Sequence, residues 1–600
     1  MVRGGGNDRN WRFYDLRQRA PRALSALALP LAFPLALSPA LPATAQPAPP
    51  PSALTLPERD AQQQLRQQER ERALREREEA EPDVRLDTPA ATAARRLPQD
   101  EAPCFRIDQV ELAGEAAGQF RWALGAADAP GDPALGRCLG TQGINTVMAR
   151  VQDAIVQRGY VTTRVLAAPQ DLKTGTLTLT VIAGRIRSIR FSEDSDARAT
   201  RWNAVPAQPG DLLNLRDIEQ ALENFKRVPT AEADIQITPA EGPGARPGDS
   251  DLVIRWHQGM PFRLSATVDD AGSRQTGKYQ GSVTVSFDHW WTLNDLFYAS
   301  LNHDLGGGNG GGGKGTRGYT VHYSVPYDYW LLGLTASGSQ YHQSVAGANQ
   351  THRYSGDSQN AEVRLARLLH RDAGRRTTAY IRGWTRASSN HIDDTEVQNQ
   401  RRRMAGWELG LTHREYLGAA SLDTSLAYRR GTGALAALHA PEERFAEGTS
   451  RPEILLADAQ LTLPFALAAQ RLRYTGAVRG QWNFTPLVPQ DRFSIGNRYT
   501  VRGFDGETTL IGDRGWFVRN ELALAMGATG FELYAGADYG QVGGGSAAYL
   551  AGTRLAGAVL GVRGGYRGLY ADLFVGKPLY KPAGFVTAGN TAGFNVSWSY

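Results

Sequence analysis

The sequence is poor in cysteine, with 2 in 600 residues, which excludes a disulfide scaffold and a Cys-rich zinc protein. It has no G-x-S-x-G elbow and no His or Cys grouped at zinc-ligand spacing. Nothing in it therefore supports an enzyme, a catalytic residue or a metal site. Net charge is small as well: 66 Lys plus Arg against 61 Asp plus Glu leave +5, a poor match to nucleic acid. Long apolar runs are missing. A membrane helix needs about 20 consecutive apolar residues, and a mean hydropathy of −0.39 argues against a bundle of them. Taken alone, these numbers describe a water-soluble chain of several domains.

What is present changes that picture. Arg17, Arg19 and Arg22 precede an apolar stretch over residues 23–37, and Ala43-Thr44-Ala45 follows. This pattern reads as a signal peptide over residues 1–45, cut after Ala45. Pro30 and Pro34 interrupt the apolar stretch, against a retained membrane anchor. Export brings Cys104 and Cys138 into an oxidising compartment, where each has one possible partner and a disulfide between them is expected. Residues 46–57 are a Pro-rich spacer. Residues 58–81 then turn to Gln, Arg and Glu without Gly or Pro, which favours helix by propensity and by pairs such as Glu71–Arg75. That helix has no apolar stripe and cannot pack in a core. Two readings stay open for it: a solvated linker helix, or a helix lodged in a polar, water-filled cavity. A linker over 82–103 follows.

Two small α+β units come next. In 104–183, Phe105, Ile107, Val110 and Leu112 predict an opening strand. A helix starts at Ile144 and ends by Gly159, and strands follow near 163–166 and 177–182. In 184–260, Ile186, Ile189 and Phe191 open the same order. A helix is expected over 215–228, with Asn214 as N-cap and Asp217 completing a capping-box-like pair. Its apolar face carries Ile218, Leu222 and Phe225. Strands over 233–238 and 251–256 close the unit. Edge strands in such units can accept an added strand from a partner; folded spacers are the other reading.

From residue 261 to 600 the helical period gives way to alternation. Tyr279, Gly281, Val283, Val285 and Phe287 share one face while Gln280, Ser282, Thr284 and Ser286 share the other. The chain ends in an alternating segment, Phe594-Asn595-Val596-Ser597-Trp598-Ser599-Tyr600. Short turns alternate with longer polar loops at 305–315, 342–354, 388–399, 431–452, 490–515, 541–552 and 577–592. Sixteen strands lie between these connections, the pattern of an antiparallel transmembrane β-barrel. The Gly-rich run ending Lys314-Gly315-Thr316 has Gly after Lys and a strand behind it, so it is a loop and no P-loop.

One stretch carries the most specific signal. It reads Val501-Arg502-Gly503-Phe504, then Arg519-Asn520-Glu521-Leu522, then Gly536-Ala537-Asp538-Tyr539-Gly540. Here the chain resembles the two-partner secretion transporters, the TpsB proteins of the ShlB/FhaC/HecB group, in the superfamily that includes BamA. The resemblance spans the mature chain. It implies a plug helix, two POTRA domains and a sixteen-stranded barrel whose sixth surface loop folds inward. In that family the loop Arg pairs with the Asp of the barrel wall; carried over, Arg502 pairs with Asp538, with Gly536 and Gly540 letting the loop approach. It further implies export of a large β-helical exoprotein captured by the POTRA domains, without ATP or any cofactor, from the bacterial outer membrane with its lipid as surroundings. The C-terminal strand ending at Tyr600 is then the mark read by the barrel-assembly machinery. A BamA- or TamA-like assembly factor is the alternative, although such proteins usually carry more POTRA units and no charged leading helix.

Overall fold

The computed structural model describes residues 56–79, 82–88, 96–308 and 313–600. The expected signal peptide, nearly all of the spacer and the middle of the Gly-rich loop lie outside the described residues. Helix α1 covers Leu56–Glu78, two residues ahead of the expected start and closed by a turn at Glu79. Its 23 residues reach about 34 Å at about 1.5 Å per residue, enough to cross the roughly 30 Å hydrocarbon layer.

In the first α+β unit the expected opening strand is two strands. Phe105–Ile107 pairs antiparallel with Arg137–Leu139, whereas Gln109–Ala113 runs parallel to Thr176–Ile182. Cys104 and Cys138 form a disulfide beside the first of these pairs. Helix α2, Thr141–Gln157, begins three residues before the expected Ile144. Its first amides are capped from a distance: the Glu101 carboxylate accepts hydrogen bonds from the N–H groups of Gly140, Gln142 and Gly143 at 2.7, 2.8 and 2.9 Å. The buried face of α2, Val147, Val151 and Ile155, joins Leu177, Leu179 and Val181 in one core. Nearby, the Leu97 N–H and then Arg150 and Arg137 hold the Asp132 carboxyl below the usual carboxylate range.

The second unit places Ser250–Gln258 between Ile186–Phe191 and Ala231–Pro239, so both outer strands are sheet edges. Helix α3, Leu215–Lys226, packs Ile218, Leu222 and Phe225 against Ile235, Leu252, Ile254 and Trp256. Asn214 caps it, its Oδ1 accepting from the Arg216 N–H at 2.9 Å. The reciprocal half of the expected capping box is absent, because the Asp217 carboxylate instead accepts from the Tyr329 hydroxyl of a barrel turn.

The rest of the chain is a closed antiparallel barrel of sixteen strands, running from Phe262–Asp269 to Thr591–Ser599 and sealed by pairing the last with the first. A two-residue strand, Thr395–Glu396, merely extends one hairpin. Inside and outside are inverted relative to a soluble protein. On Gln280–Asp288, the polar Gln280, Thr284, Ser286 and Asp288 are buried toward the lumen while Val283 is exposed on the outer face. Two expected loops shrink. Trp330–Ala346 and Thr351–Arg371 leave only 347–350 between them, and Arg375–Ile392 absorbs 388–392 of the expected 388–399. These strands continue beyond the apolar band into water, where alternation fades and sequence reads as loop. Likewise Leu569–Tyr580 reduces the expected 577–592 loop to 581–590. The motif-bearing loop runs from 484 to 513 and contains its own hairpin, Phe493–Ile495 with Leu510–Gly512.

Candidate functional site: a filled lumen and an inward loop

Helix α1 lies in the barrel lumen, held there by hydrogen bonds and ion pairs along its whole length. Near its start the Asp60 carboxylate accepts from the Tyr341 hydroxyl at 2.7 Å, and Arg66 donates to the Gly506 carbonyl at 2.7 Å. Midway, Arg70 donates to Gln280 at 2.7 Å and Arg75 pairs with Glu362 at 2.6 Å. Toward its end Glu78 meets Arg263 at 3.3 Å, and the Tyr298 hydroxyl donates to Glu79 at 2.9 Å. Of the two readings left open for the charged segment, the structure takes the polar cavity. The helix starts among residues of the long loop and ends at the short-turn side.

The loop of 484–513 folds into the same lumen beside the wall strands Arg514–Ala525, Phe531–Gly543, Arg554–Tyr566 and Leu569–Tyr580. Val501 and Phe504 anchor it in an apolar cluster with Ile495, Phe517, Leu555 and Phe585. Between them, Arg502 grips Asp538 three ways: backbone N–H to Oδ2 at 3.0 Å, Nε to Oδ2 at 2.7 Å and Nη2 to Oδ1 at 2.9 Å. The Asp538 side chain is fully buried and that of Arg502 is 7% exposed. Such a fork on a carboxylate combines charge with a fixed plane.

Small residues make the approach possible. Gly503 has φ +98°, a left-handed conformation, and a Cβ there would lie 2.6 Å from the Lys577 carbonyl oxygen. On the wall, a Cβ on Gly536 would lie 2.5 Å from Arg502 Nη2, one on Gly540 2.8 Å from a Val501 methyl, and one on Gly557 1.9 Å from the Arg502 carbonyl oxygen.

Sequence reasoning missed what continues the grip. Arg502 Nη1 also donates to Glu521 at 2.5 Å, Glu521 accepts from Arg563 at 2.6 Å, and Arg563 and Arg473 converge on Glu532 at 3.2 and 2.5 Å. The signal was there: Glu521 stands in the quoted Arg519-Asn520-Glu521-Leu522 segment, two residues from Arg519 on the same lumen-facing parity of the strand.

Also missed was the junction with the second α+β unit. That unit sits against the short-turn end of the barrel, where Asn203 Nδ2 donates to the carbonyls of Leu293 and Pro326 at 2.5 and 3.1 Å. Arg371 joins Glu219 and Glu223 of α3, each at 2.8 Å, and donates to the Val84 carbonyl at 2.6 Å. The chain leaving α1, the α+β unit and the barrel are thus tied at one arginine.

A sixteen-stranded barrel with a polar helix in its lumen, an inward loop and two small domains at its turn end has the architecture of an outer-membrane pore with periplasmic modules. The chain belongs to the family described as haemolysin secretion/activation protein ShlB/FhaC/HecB, whose model matches residues 248–564. POTRA models match the two units, the ShlB-type domain at 105–184 and a second POTRA domain at 185–239. The chain is 39% identical over 551 residues to the outer membrane transporter CdiB-2 of Burkholderia pseudomallei, covering 89% of this chain and 93% of that protein. It is 26% identical over 465 residues to the hemolysin transporter protein ShlB of Serratia marcescens, covering 76% and 78%. The solved structure of CdiB from Acinetobacter baumannii matches with TM-score 0.79 at 30% identity, over 90% of this chain and 99% of that one. The protein is an outer-membrane transporter of two-partner secretion, with its POTRA domains in the periplasm.

Proposed function

We propose that this transporter exports one large β-helical exoprotein, without nucleotide hydrolysis, by exchanging helix α1 for the unfolded substrate in the lumen. The observation that carries this is the nature of the contacts around α1. They are hydrogen bonds and ion pairs, which water or a passing polypeptide can replace. In this reading the POTRA domains receive the exoprotein's N-terminal segment as an added strand, with Ala231–Pro239 offering a sheet edge. Arg502 and Asp538 hold the inward loop in its working position, and the strand ending at Tyr600 is what the barrel-assembly machinery recognises. Folding of the exoprotein outside supplies the direction of transport.

Deleting residues 56–79 should raise single-channel conductance in planar bilayers while the barrel remains heat-modifiable on gels. Unchanged conductance would refute α1 as the resting obstruction. The exoprotein itself is tested by expressing the long exported β-helical product of a neighbouring reading frame with and without the transporter. Equal amounts outside the cell in both cases would refute the assignment.

A further inference from the structure

The second POTRA domain carries a tryptophan where a water-soluble domain has no use for one. Trp202 lies between Ile186–Phe191 and α3 and is 62% exposed. Its backbone is held in place by the neighbouring Asn203, whose side chain donates to Leu293 and Pro326 and whose carbonyl accepts from the Asp328 N–H at 2.9 Å. Asn294 adds a bond to the Thr200 carbonyl at 2.9 Å. The segment is therefore rigid against two short turns, yet the indole points away from both domain cores.

The indole rests 6.0 Å, centroid to centroid, from Tyr327. Strand parity puts Tyr327 on the lipid side: Tyr319, Val321, Tyr323 and Val325 alternate with the lumen-facing Thr320, His322 and Ser324, and Tyr327 pairs with Trp330. On the adjoining strands, Phe262, Phe287 and Phe297 stand side by side on the same outer face. Trp290 packs 5.4 Å from Phe287 and 4.9 Å from Phe297, with Trp291 stacked on it. This is the aromatic girdle that marks a barrel's membrane interface, where an amphipathic ring sits between headgroups and acyl chains. Trp202 continues that girdle from a different domain. Met260, two residues before Phe262, is also exposed.

We propose that Trp202 is a membrane anchor: the second POTRA domain binds the phospholipid surface of the periplasmic leaflet, with the indole inserted at the headgroup–acyl boundary. The occupant is lipid because the patch is continuous with the lipid-facing girdle. Arg201, exposed beside it, suits lipid phosphate. Of the acidic side chains in the same segment, Asp194 pairs with Arg255 and Asp196 accepts from the Gln258 N–H, which leaves Glu193 as the exposed carboxylate beside Arg201 and Arg198. The bilayer thereby helps to hold this domain at a fixed angle to the barrel mouth.

The test uses the full-length transporter with Trp202→Cys, the native cysteines remaining as their disulfide, labelled with an environment-sensitive fluorophore. It is reconstituted in phosphatidylethanolamine–phosphatidylglycerol vesicles. The label should be blue-shifted, quenched by brominated acyl chains and several-fold less accessible to an aqueous quencher than a label at Lys173→Cys on the first POTRA domain. Equal accessibility at the two sites would overturn the proposal, as would shielding that develops only when an exoprotein segment is added, which would mark a protein-docking patch. Because the substitution removes a ring contact, Trp202→Tyr is compared with Trp202→Ser in unlabelled protein. Hydrogen exchange across residues 196–206 should be slowed by vesicles relative to detergent in the wild type and Trp202→Tyr, and not in Trp202→Ser. No vesicle-dependent slowing in the wild type would also overturn it.

Discussion

Replacing Arg502 with Ala tests the inward loop most directly. The substitution removes both side-chain bonds to Asp538 and the bonds to Glu521 and the Asn520 carbonyl, leaving the Asp538 carboxylate with the residue-502 backbone N–H as its hydrogen bond and with the charge of Arg519 on the neighbouring strand. Glu521 keeps Arg563, so the cost falls on Asp538, whose side chain has no exposure through which water could replace the lost donors. Breaking a buried pair from one side costs about 3–5 kcal/mol. At about 1.4 kcal/mol per tenfold, the docked-to-undocked ratio of the loop falls by roughly two to three and a half orders of magnitude. The variant should assemble a normal heat-modifiable barrel, lose most secretion, and expose residues 496–508 to protease in intact cells. Arg502→Lys keeps charge without the fork and should fall between. Combining Arg502→Ala with Asp538→Asn removes the stranded charge, so the double variant should lose less than the sum of the singles. Secretion within twofold of wild type, with the loop still protected, would refute the reasoning.

Two further outcomes follow from the geometry. Gly557→Val places side-chain carbon against the Arg502 carbonyl, where a Cβ alone would stand at 1.9 Å, so it should expose the same loop to protease although it removes no charge; continued protection would refute the close approach. The depressed Asp132 carboxyl contributes stability to the first POTRA domain that is fully present above its unfolded pKa of about 3.9 and is lost as pH falls through the lower folded value. The melting temperature of the periplasmic region should therefore drop more steeply below pH 4 in the wild type than in Asp132→Asn; parallel profiles would refute the linkage.

How much of this was legible depended on how local the cause was. Alternation in segments such as 279–287 follows from facing lipid on one side and a wet lumen on the other, and it led to the sixteen-stranded barrel. The composition of 58–81 revealed a helix without a core face, while its location depended on distant partners such as Tyr341 and Glu362. The start of α2 was misplaced because its cap, Glu101, comes from a separate stretch of chain. Asp217 looked like a capping residue because its competitor, Tyr329, stands more than a hundred positions away. Arg371 was invisible for the same reason: at a strand end it resembles any surface arginine until the acidic face of α3 is brought against it. The Arg502 motif stood out only through family resemblance, since an arginine next to glycine in a polar loop has no local signature of burial.

The surroundings of α1 bear on how the pore can be reused. A stopper seated by apolar packing would, on leaving, bare greasy surface on both itself and its seat, and each cycle would risk aggregation in the periplasm. Here both surfaces are polar, so in the proposed exchange the empty and filled states differ by hydrogen bonds and ion pairs that water can replace. In the exchange proposed above, an arriving chain replaces the helix's hydrogen bonds and ion pairs, and the helix re-forms them when that chain has gone. In that reading the protein trades tightness of closure for the ability to reset.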